Sequence, residues 1–179
     1  MLVGQTIRGI IYGEMKCCVD EDENNVYPEP SYKTQFADID TLDYSIYFRT
    51  DDKAIYIFWD STFCPYGLLS ELIDLTDLTN NYEQKWDVSE DDKWQDVIGQ
   101  KIMTFNILWE ETWTSNLDGS NKIYMIYPQA FVIETDNGKN IIISAAEFTR
   151  GQRQEVYPLS DNLLVTTNIE IAKKLQIIE

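Results

Sequence analysis

Apolar residues occur along this chain in short runs that are rich in Ile, Val, Tyr and Phe and that end at polar segments. Two clear runs extend from Ile7 to Tyr12 and from Ile102 to Trp109. β-Branched and aromatic residues favour strands, and short runs are typical of strands rather than helices. The pattern therefore predicts a mainly β protein, with an α+β fold as the alternative.

A weak internal repeat relates the first half of the chain to the second. Gly4-Gln5-Thr6-Ile7 recurs as Gly99-Gln100-Lys101-Ile102, and each copy opens a β-rich run. Each run leads through a polar segment to a Tyr-Pro pair, at Tyr27-Pro28 or Tyr127-Pro128. The preserved order indicates an internal duplication.

A second pair of similar segments strengthens the repeat. Both Phe48 to Ile57 and Ile133 to Ile143 consist of two apolar runs joined by a polar turn, and the later turn contains Asn137-Gly138, a strong hairpin signal. One copy alone makes a small sheet with one face to bury, and the other copy supplies the cover. We therefore predict a single domain over residues 1–179, in which two pseudo-repeated antiparallel β units, 1–80 and 99–179, pack together.

The segment 81–98 between the two units is predicted to contain a short connecting helix. Ser89 provides a hydroxyl N-cap, and the acidic residues that follow it oppose the positive end of the helix dipole. Trp94, Val97 and Ile98 then share one face, and Gly99 is placed to end the helix. We interpret this helix as structural.

A short C-terminal helix is also predicted. Asn168 is a suitable N-cap for a helix from Ile169 to Leu175, with Lys173 and Lys174 near its carboxyl end. The pattern from Leu68 to Leu78 fits a helix and a strand equally, and its structure stays open.

Charge narrows the range of partners. The chain carries 31 Asp and Glu against 14 Lys and Arg, a net charge of −17, which repels nucleic-acid phosphates and anionic lipids. The same charge accelerates encounter with a basic protein. The amino terminus lacks the features of a signal peptide, and no apolar run is long enough to span a membrane. We expect a cytoplasmic protein that binds neither nucleic acid nor membrane.

Several kinds of catalytic and metal chemistry lack their residues in this sequence. The chain contains no His, which removes Ser-His-Asp and Cys-His hydrolysis, and its three cysteines, Cys17, Cys18 and Cys64, lack zinc-site spacing. The acidic segment Asp20 to Asn25 departs from a calcium loop, because Asn25 replaces the required Gly and Ser31 the required Glu. We expect no metal and no cofactor.

Two groups of residues are candidates for contact with a partner. If the strand that begins at Ile102 continues, Trp109, Glu111 and Trp113 share one face, and Trp is a frequent anchor of protein interfaces. The second group is the acidic run around the predicted connecting helix, which comprises Glu83, Asp87, Glu90, Asp91, Asp92 and Asp96. Each group also has a structural interpretation, as core cover for the indoles and as dipole compensation for the acids.

Short motifs across nearly the whole chain resemble a family of small uncharacterised bacterial proteins. The motifs are Leu2-Val3-Gly4-Gln5, Asp52 to Asp60, Tyr66-Gly67-Leu68, Trp86-Asp87-Val88-Ser89 with Trp94 and Ile98-Gly99, Trp109, Tyr127-Pro128, and Asp161 to Thr166. In its acidity, size and low cysteine content the chain is also similar to immunity proteins of bacterial toxin systems. That similarity implies a cytoplasmic inhibitor that occludes a basic toxin such as a nuclease.

The sequence therefore favours a non-catalytic binding protein that recognises a basic protein, with an aromatic anchor ringed by acids. Two alternatives stay open. One is a carboxylate-based enzyme or small-ligand module with a cleft between the β units. The other is a protein that self-associates through a symmetric β interface.

Overall fold

The computed structural model describes residues 2–15, 30–34, 36–63, 66–79, 83–148 and 156–179. The described residues form ten strands and one α-helix. In chain order these are β1 (Gly9–Met15), β2 (Ile39–Leu42), β3 (Ser45–Arg49), β4 (Lys53–Asp60), β5 (Gly67–Asp74), β6 (Glu83–Asp87), β7 (Ile102–Thr114), β8 (Ile123–Thr135), β9 (Asn140–Phe148), β10 (Val156–Thr166) and α1 (Ile169–Lys174). The prediction of a mainly β fold is confirmed.

The strands make two antiparallel sheets. The order is β5-β4-β3-β1-β6 in the first sheet and β2-β10-β9-β8-β7 in the second. Alternate residues of each strand point to one face, and the apolar inner faces pack against each other in a single core. Ile46, Phe48 and Ile57 contribute to this core from the first sheet, and Phe131 and Ile143 from the second.

The boundaries of the sheets differ from those of the predicted β units. β2 belongs by sequence to residues 1–80 but pairs with β10, with Leu42 opposite Leu163. β6 belongs to the segment 81–98 but pairs with β1, with Trp86 opposite Tyr12. Strand β2 therefore ties the first half of the chain into the second sheet. The internal duplication itself stays a prediction.

Both predicted hairpins are present. β3 and β4 are joined at Asp51-Asp52, and β8 and β9 at the turn that contains Asn137-Gly138. The amide of Gly138 donates to the carbonyl of Thr135, and Gly138 has a φ of +79° whereas Asn137 does not have a positive φ. The connection is therefore a type I turn followed by a left-handed glycine, rather than a two-residue turn with positive φ at both positions.

The connecting segment forms a short 3-10 helix at Asp92–Trp94, followed by further turns. The residues predicted to face inward do so, since Trp94 and Val97 are fully buried, and Gly99 ends the turns with a φ of +85°. The prediction that Ser89 is the N-cap of this helix is wrong. Its hydroxyl accepts a hydrogen bond from the Ile10 amide at 2.9 Å, so it fastens this segment to β1 instead.

The C-terminal helix α1 begins as the sequence predicts. The Asn168 side chain accepts hydrogen bonds from the amides of Glu170 and Ile171, and the helix covers an apolar cluster on the outer face of the second sheet. The ambiguous segment Leu68 to Leu78 divides between both interpretations. It is strand β5 as far as Asp74 and a 3-10 helix from Leu75 to Thr79. The cysteines Cys17, Cys18 and Cys64 and the acidic segment 20–25 lie outside the described residues.

Candidate interaction surface

The β7–β8 hairpin extends past the sandwich as an exposed ribbon. From Tyr127 to Phe131 strand β8 is buried, whereas Ile123, Tyr124 and Ile126 on the same strand are exposed. On β7, the residues from Trp109 onward are mostly exposed. We call residues 109–126 the arm.

A register shift marks the root of the arm. Leu108 lies opposite Ala130 but Trp109 lies opposite Pro128, so Gln129 is an additional residue on β8. A bulge of this kind changes which side of the sheet the following residues face. Pro128 lies against β5 at Gly67, where an added Cβ would come within 3.0 Å of the proline ring. The bulge therefore turns the arm at the point where it leaves the core.

The tip of the arm is an ordered turn. The Gly119 amide donates to the Asn116 carbonyl at 2.9 Å, and the Asp118 carboxylate accepts from the Ser120 amide at 2.9 Å. Gly119 has a φ of +78°, which suits glycine. This turn holds Leu117 outward and fully exposed.

One face of the arm is aromatic and apolar. Residues directly opposite each other on antiparallel strands share a face, so Trp109, Glu111 and Trp113 lie beside Ile126 and Tyr124. Trp109 and Trp113 are 56% and 53% exposed, and Tyr124 is 66% exposed. The Lys122 ammonium lies over the Trp113 ring, 4.3 Å from its centroid. The predicted shared face of Trp109, Glu111 and Trp113 is thus present, and the indoles do not cover the core.

Exposed apolar residues are concentrated on the arm. Among the described residues, the large hydrophobic side chains that are exposed include six of the arm, namely Trp109, Trp113, Leu117, Ile123, Tyr124 and Ile126. Contiguous apolar patches on a protein surface usually mark an interaction site. The arm is therefore the strongest candidate for contact with a partner.

The acidic run lies at the other end of the sandwich. Asp87 is near the β3–β4 turn, where its carboxylate binds the Arg49 guanidinium at 3.0 Å. Glu90, Asp91 and Asp92 follow β6 and precede the start of β7 at Ile102, while the arm is the far part of the same strand. At about 3.3 Å per residue, β7 extends roughly 23 Å from Ile102 to Trp109 and roughly 36 Å to Trp113. The structure therefore brings Trp109, Glu111 and Trp113 together but does not ring them with the acidic run.

Part of the acidic run surrounds a buried ion pair. Asp40 binds the Lys93 ammonium, and Asp40 also accepts a hydrogen bond from the Tyr12 hydroxyl at 2.6 Å. Burial, together with the charge of Asp40, raises the pKa of Tyr12 well above its usual value. Asp91 and Asp92 line a cleft above this pair. These contacts give this end of the molecule a structural role in holding β2 to the segment after β6.

Two glutamates of the first sheet are buried. The sequence analysis placed Glu83 in the acidic run, but Glu83 is only 5% exposed and does not belong to that surface, and the sequence analysis did not single out Glu14. Glu14 accepts a hydrogen bond from the Trp86 indole at 2.7 Å. Glu83 accepts from the hydroxyls of Ser45 at 2.5 Å, Tyr47 at 2.8 Å and Tyr56 at 3.0 Å. Burial, reinforced by the charge of Glu83, raises the pKa of Tyr56.

The sequence signal for the buried Glu83 cluster is a glycine within strand β1. Gly13 lies beside Glu83, and an added Cβ there would come within 1.9 Å of a Glu83 carboxylate oxygen. A glycine inside a strand often marks such a close approach. The Glu83 cluster satisfies its hydrogen bonds internally and is a structural feature of the first sheet.

The structure does not favour the alternative of a carboxylate enzyme with its active site between the two sheets. The inner faces of both sheets meet in one packed core, with Ile57 and Leu68 on one side and Phe131 and Ile143 on the other. Within the described ranges, no three His, Cys, Asp or Glu side chains are grouped as a metal ion requires. In the same ranges, no helix has the length and apolar character to cross a membrane.

No family model, no curated protein and no solved structure matches this chain.

Proposed function

We propose that this is a non-catalytic cytoplasmic binding protein that uses the arm to dock a basic protein partner. The observation that carries the proposal is the exposure of Trp109, Trp113, Tyr124 and Ile126 on one face of a ribbon that the core does not need. Aromatic residues of this kind dominate the binding energy of many protein interfaces.

The chemistry of the partner is argued from charge. The chain has a net charge of −17, and the arm itself carries Glu110, Glu111 and Asp118 against Lys122. Such a field favours encounter with a positively charged protein and opposes close approach of a second copy. A basic partner is therefore preferred over self-association.

In its most specific form, the proposal is an immunity or inhibitor protein of a bacterial toxin system. The arm would enter the phosphate-binding site of a nuclease and occlude it, while the acidic surface around Asp91 and Asp92 accelerates association from a distance. The mechanism needs no catalytic residue, since occlusion alone abolishes the activity of the partner.

The experiment is a capture from native cell extract with three immobilised forms of the protein. The wild type is compared with an arm variant, Trp113→Thr with Tyr124→Thr, and with a control variant, Leu72→Thr with Leu75→Thr. The control removes exposed apolar side chains from the first sheet and its following 3-10 helix. Threonine keeps strand propensity in the arm, so the ribbon is retained.

We expect wild type and control to capture the same basic protein, in smaller amounts as salt is raised. The arm variant should bind the purified partner at least about 30-fold more weakly, because two aromatic anchors are lost. Equal capture by the arm variant would refute the arm as the docking surface. An acidic or neutral partner would refute the charge argument.

A further inference from the structure

A cleft of about 400 Å³ lies at the root of the arm, on the face opposite the two indoles. Its walls come from the arm at Glu110 and Thr112, from Tyr127 and Gln129 of β8, from β10, and from the residues that follow α1. The cleft is separate from the aromatic face, since Glu110 and Tyr127 are paired across the strands on the other side of the ribbon.

Gln129 is the additional residue of the bulge, and its amide has a defined orientation. The Gln129 amide nitrogen donates to the Ser144 hydroxyl at 2.7 Å and to the Ala145 carbonyl at 3.1 Å. A carbonyl only accepts hydrogen bonds, so the amide nitrogen must face Ala145. Both N–H groups of Gln129 are therefore used within the protein.

In this orientation, the amide oxygen of Gln129 has no hydrogen-bond donor among the described residues. Gln129 is 7% exposed, and no group among the described residues donates to its Oε1 atom. A buried acceptor without a donor costs free energy, which a ligand that supplies a donor recovers. Gln129, which lines the cleft, thus has a buried acceptor without a donor among the described residues.

The charged side chain on the cleft face of the arm is negative. Glu110 lines the cleft beside Tyr127, and within the described part of the chain its carboxylate has no ion-pair or hydrogen-bond partner. Burial, followed by the charge of Glu110, raises the pKa of Tyr127 to about 12, so its hydroxyl is neutral at physiological pH. No Lys or Arg is among the described lining residues. Anions are disfavoured here and cations are favoured.

Apolar side chains make the remaining wall. Val156 and Pro158 of β10 and Leu175 and Ile177 after α1 line the cleft together with Glu110. Methylene stems of lysine and arginine side chains cover apolar surface of this kind while their charged ends contact polar groups.

We propose that this cleft binds an aliphatic cation, an ammonium or guanidinium group on a short methylene stem. The carboxylate of Glu110 faces the charge, Gln129 accepts a hydrogen bond from it, and Val156, Leu175 and Ile177 contact the stem. The cation arrives either as a free small amine or as a lysine or arginine side chain of the partner, and the second source rests on the proposed function.

The test is an NMR titration of the ¹⁵N-labelled protein with n-butylammonium, and with n-butanol as the neutral control, at constant ionic strength. We expect saturable shifts of the backbone and side-chain amides of Gln129 and of the amides around Tyr127 with the cation only. Absence of saturable shifts at these residues, or equal binding of butanol, would overturn the proposal.

Charge variants distinguish a specific cation site from non-specific electrostatic attraction to the acidic protein. Glu110→Gln should weaken n-butylammonium binding about tenfold, because a charged hydrogen-bond partner is removed. Glu71→Gln makes the same charge change at an exposed strand position away from the cleft and should leave the dissociation constant within about twofold. Equal weakening in both variants would overturn the proposal. Gln129→Met, checked for its native circular dichroism spectrum, should also weaken binding.

The source of the cation is decided with blocked amino acids. Tighter binding of Nα-acetyl-lysine methylamide than of n-butylammonium supports a partner side chain, and the reverse order supports a free amine. These titrations contain no partner, so they are independent of capture by the arm. If the cation does not bind but capture still depends on the arm, only the proposed cation site is overturned. If the cation binds but capture does not depend on the arm, only the proposed function is overturned.

Discussion

Strand β8 has two parts that share one backbone but have different surroundings. From Tyr127 to Thr135 most of its side chains are buried, and Phe131 packs against Phe105 with ring centroids 4.9 Å apart. From Ile123 to Ile126 the strand is paired with β7 in the same way, yet Tyr124 and Ile126 are 66% and 60% exposed. Both parts have the apolar composition of a buried strand.

The difference shows that apolar pattern and core membership are separate properties here. The lower part of β8 is covered by β9 and by the first sheet, while the arm is paired only with itself. Hydrophobic burial therefore stabilises the lower part and leaves the apolar surface of the arm available. We infer that the lower part specifies the fold and the arm serves binding.

The largest contrast is expected from one substitution in each part of β8. Phe131→Ala should lower the free energy of unfolding by about 3–5 kcal/mol, because it opens a cavity in the core. Ile126→Thr, on the arm, should lower it by less than about 0.5 kcal/mol. Guanidinium denaturation of both variants measures the two values. Comparable losses would contradict the division of β8 into a structural and a binding part.

A smaller effect on stability is expected at the boundary between the two parts of β8, where Tyr127 is the first buried residue after the arm. Its pKa is raised from 10.0 to about 12, first by burial and then by Glu110. Between pH 10 and 12 the unfolded chain loses this proton while the folded protein keeps it, so stability falls as the pH rises. The free energy of unfolding of the wild type should therefore fall more steeply over this range than that of Tyr127→Phe. Parallel pH profiles would show that Tyr127 ionises as freely when folded as when unfolded.

Local signals in the sequence predicted much of the fold. The Asn168 cap, the turn at Asn137-Gly138 and the inward face of Trp94 and Val97 each depend on neighbouring residues only. The pairing of β2 with β10 joins residues far apart in sequence, and no local pattern specifies it. For the same reason the sequence did not show that β6 completes the first sheet.

The candidate site was predictable in part. Alternation along β7 placed Trp109, Glu111 and Trp113 on one face, as the structure has them. The sequence could not tell whether that face meets the core, because exposure depends on where the second sheet ends. It also grouped these residues with Asp91 and Asp92, although the length of β7 keeps the two groups apart.

The most direct test of the arm as the docking surface is photo-cross-linking. Tyr124→p-benzoylphenylalanine places the reactive group on the arm, and Leu72→p-benzoylphenylalanine places it at an exposed position on β5. Irradiation in the presence of the captured basic protein should give a covalent complex from position 124 and none from position 72. A complex from position 72 alone, or from neither position while the partner stays bound, would contradict the arm as the docking surface.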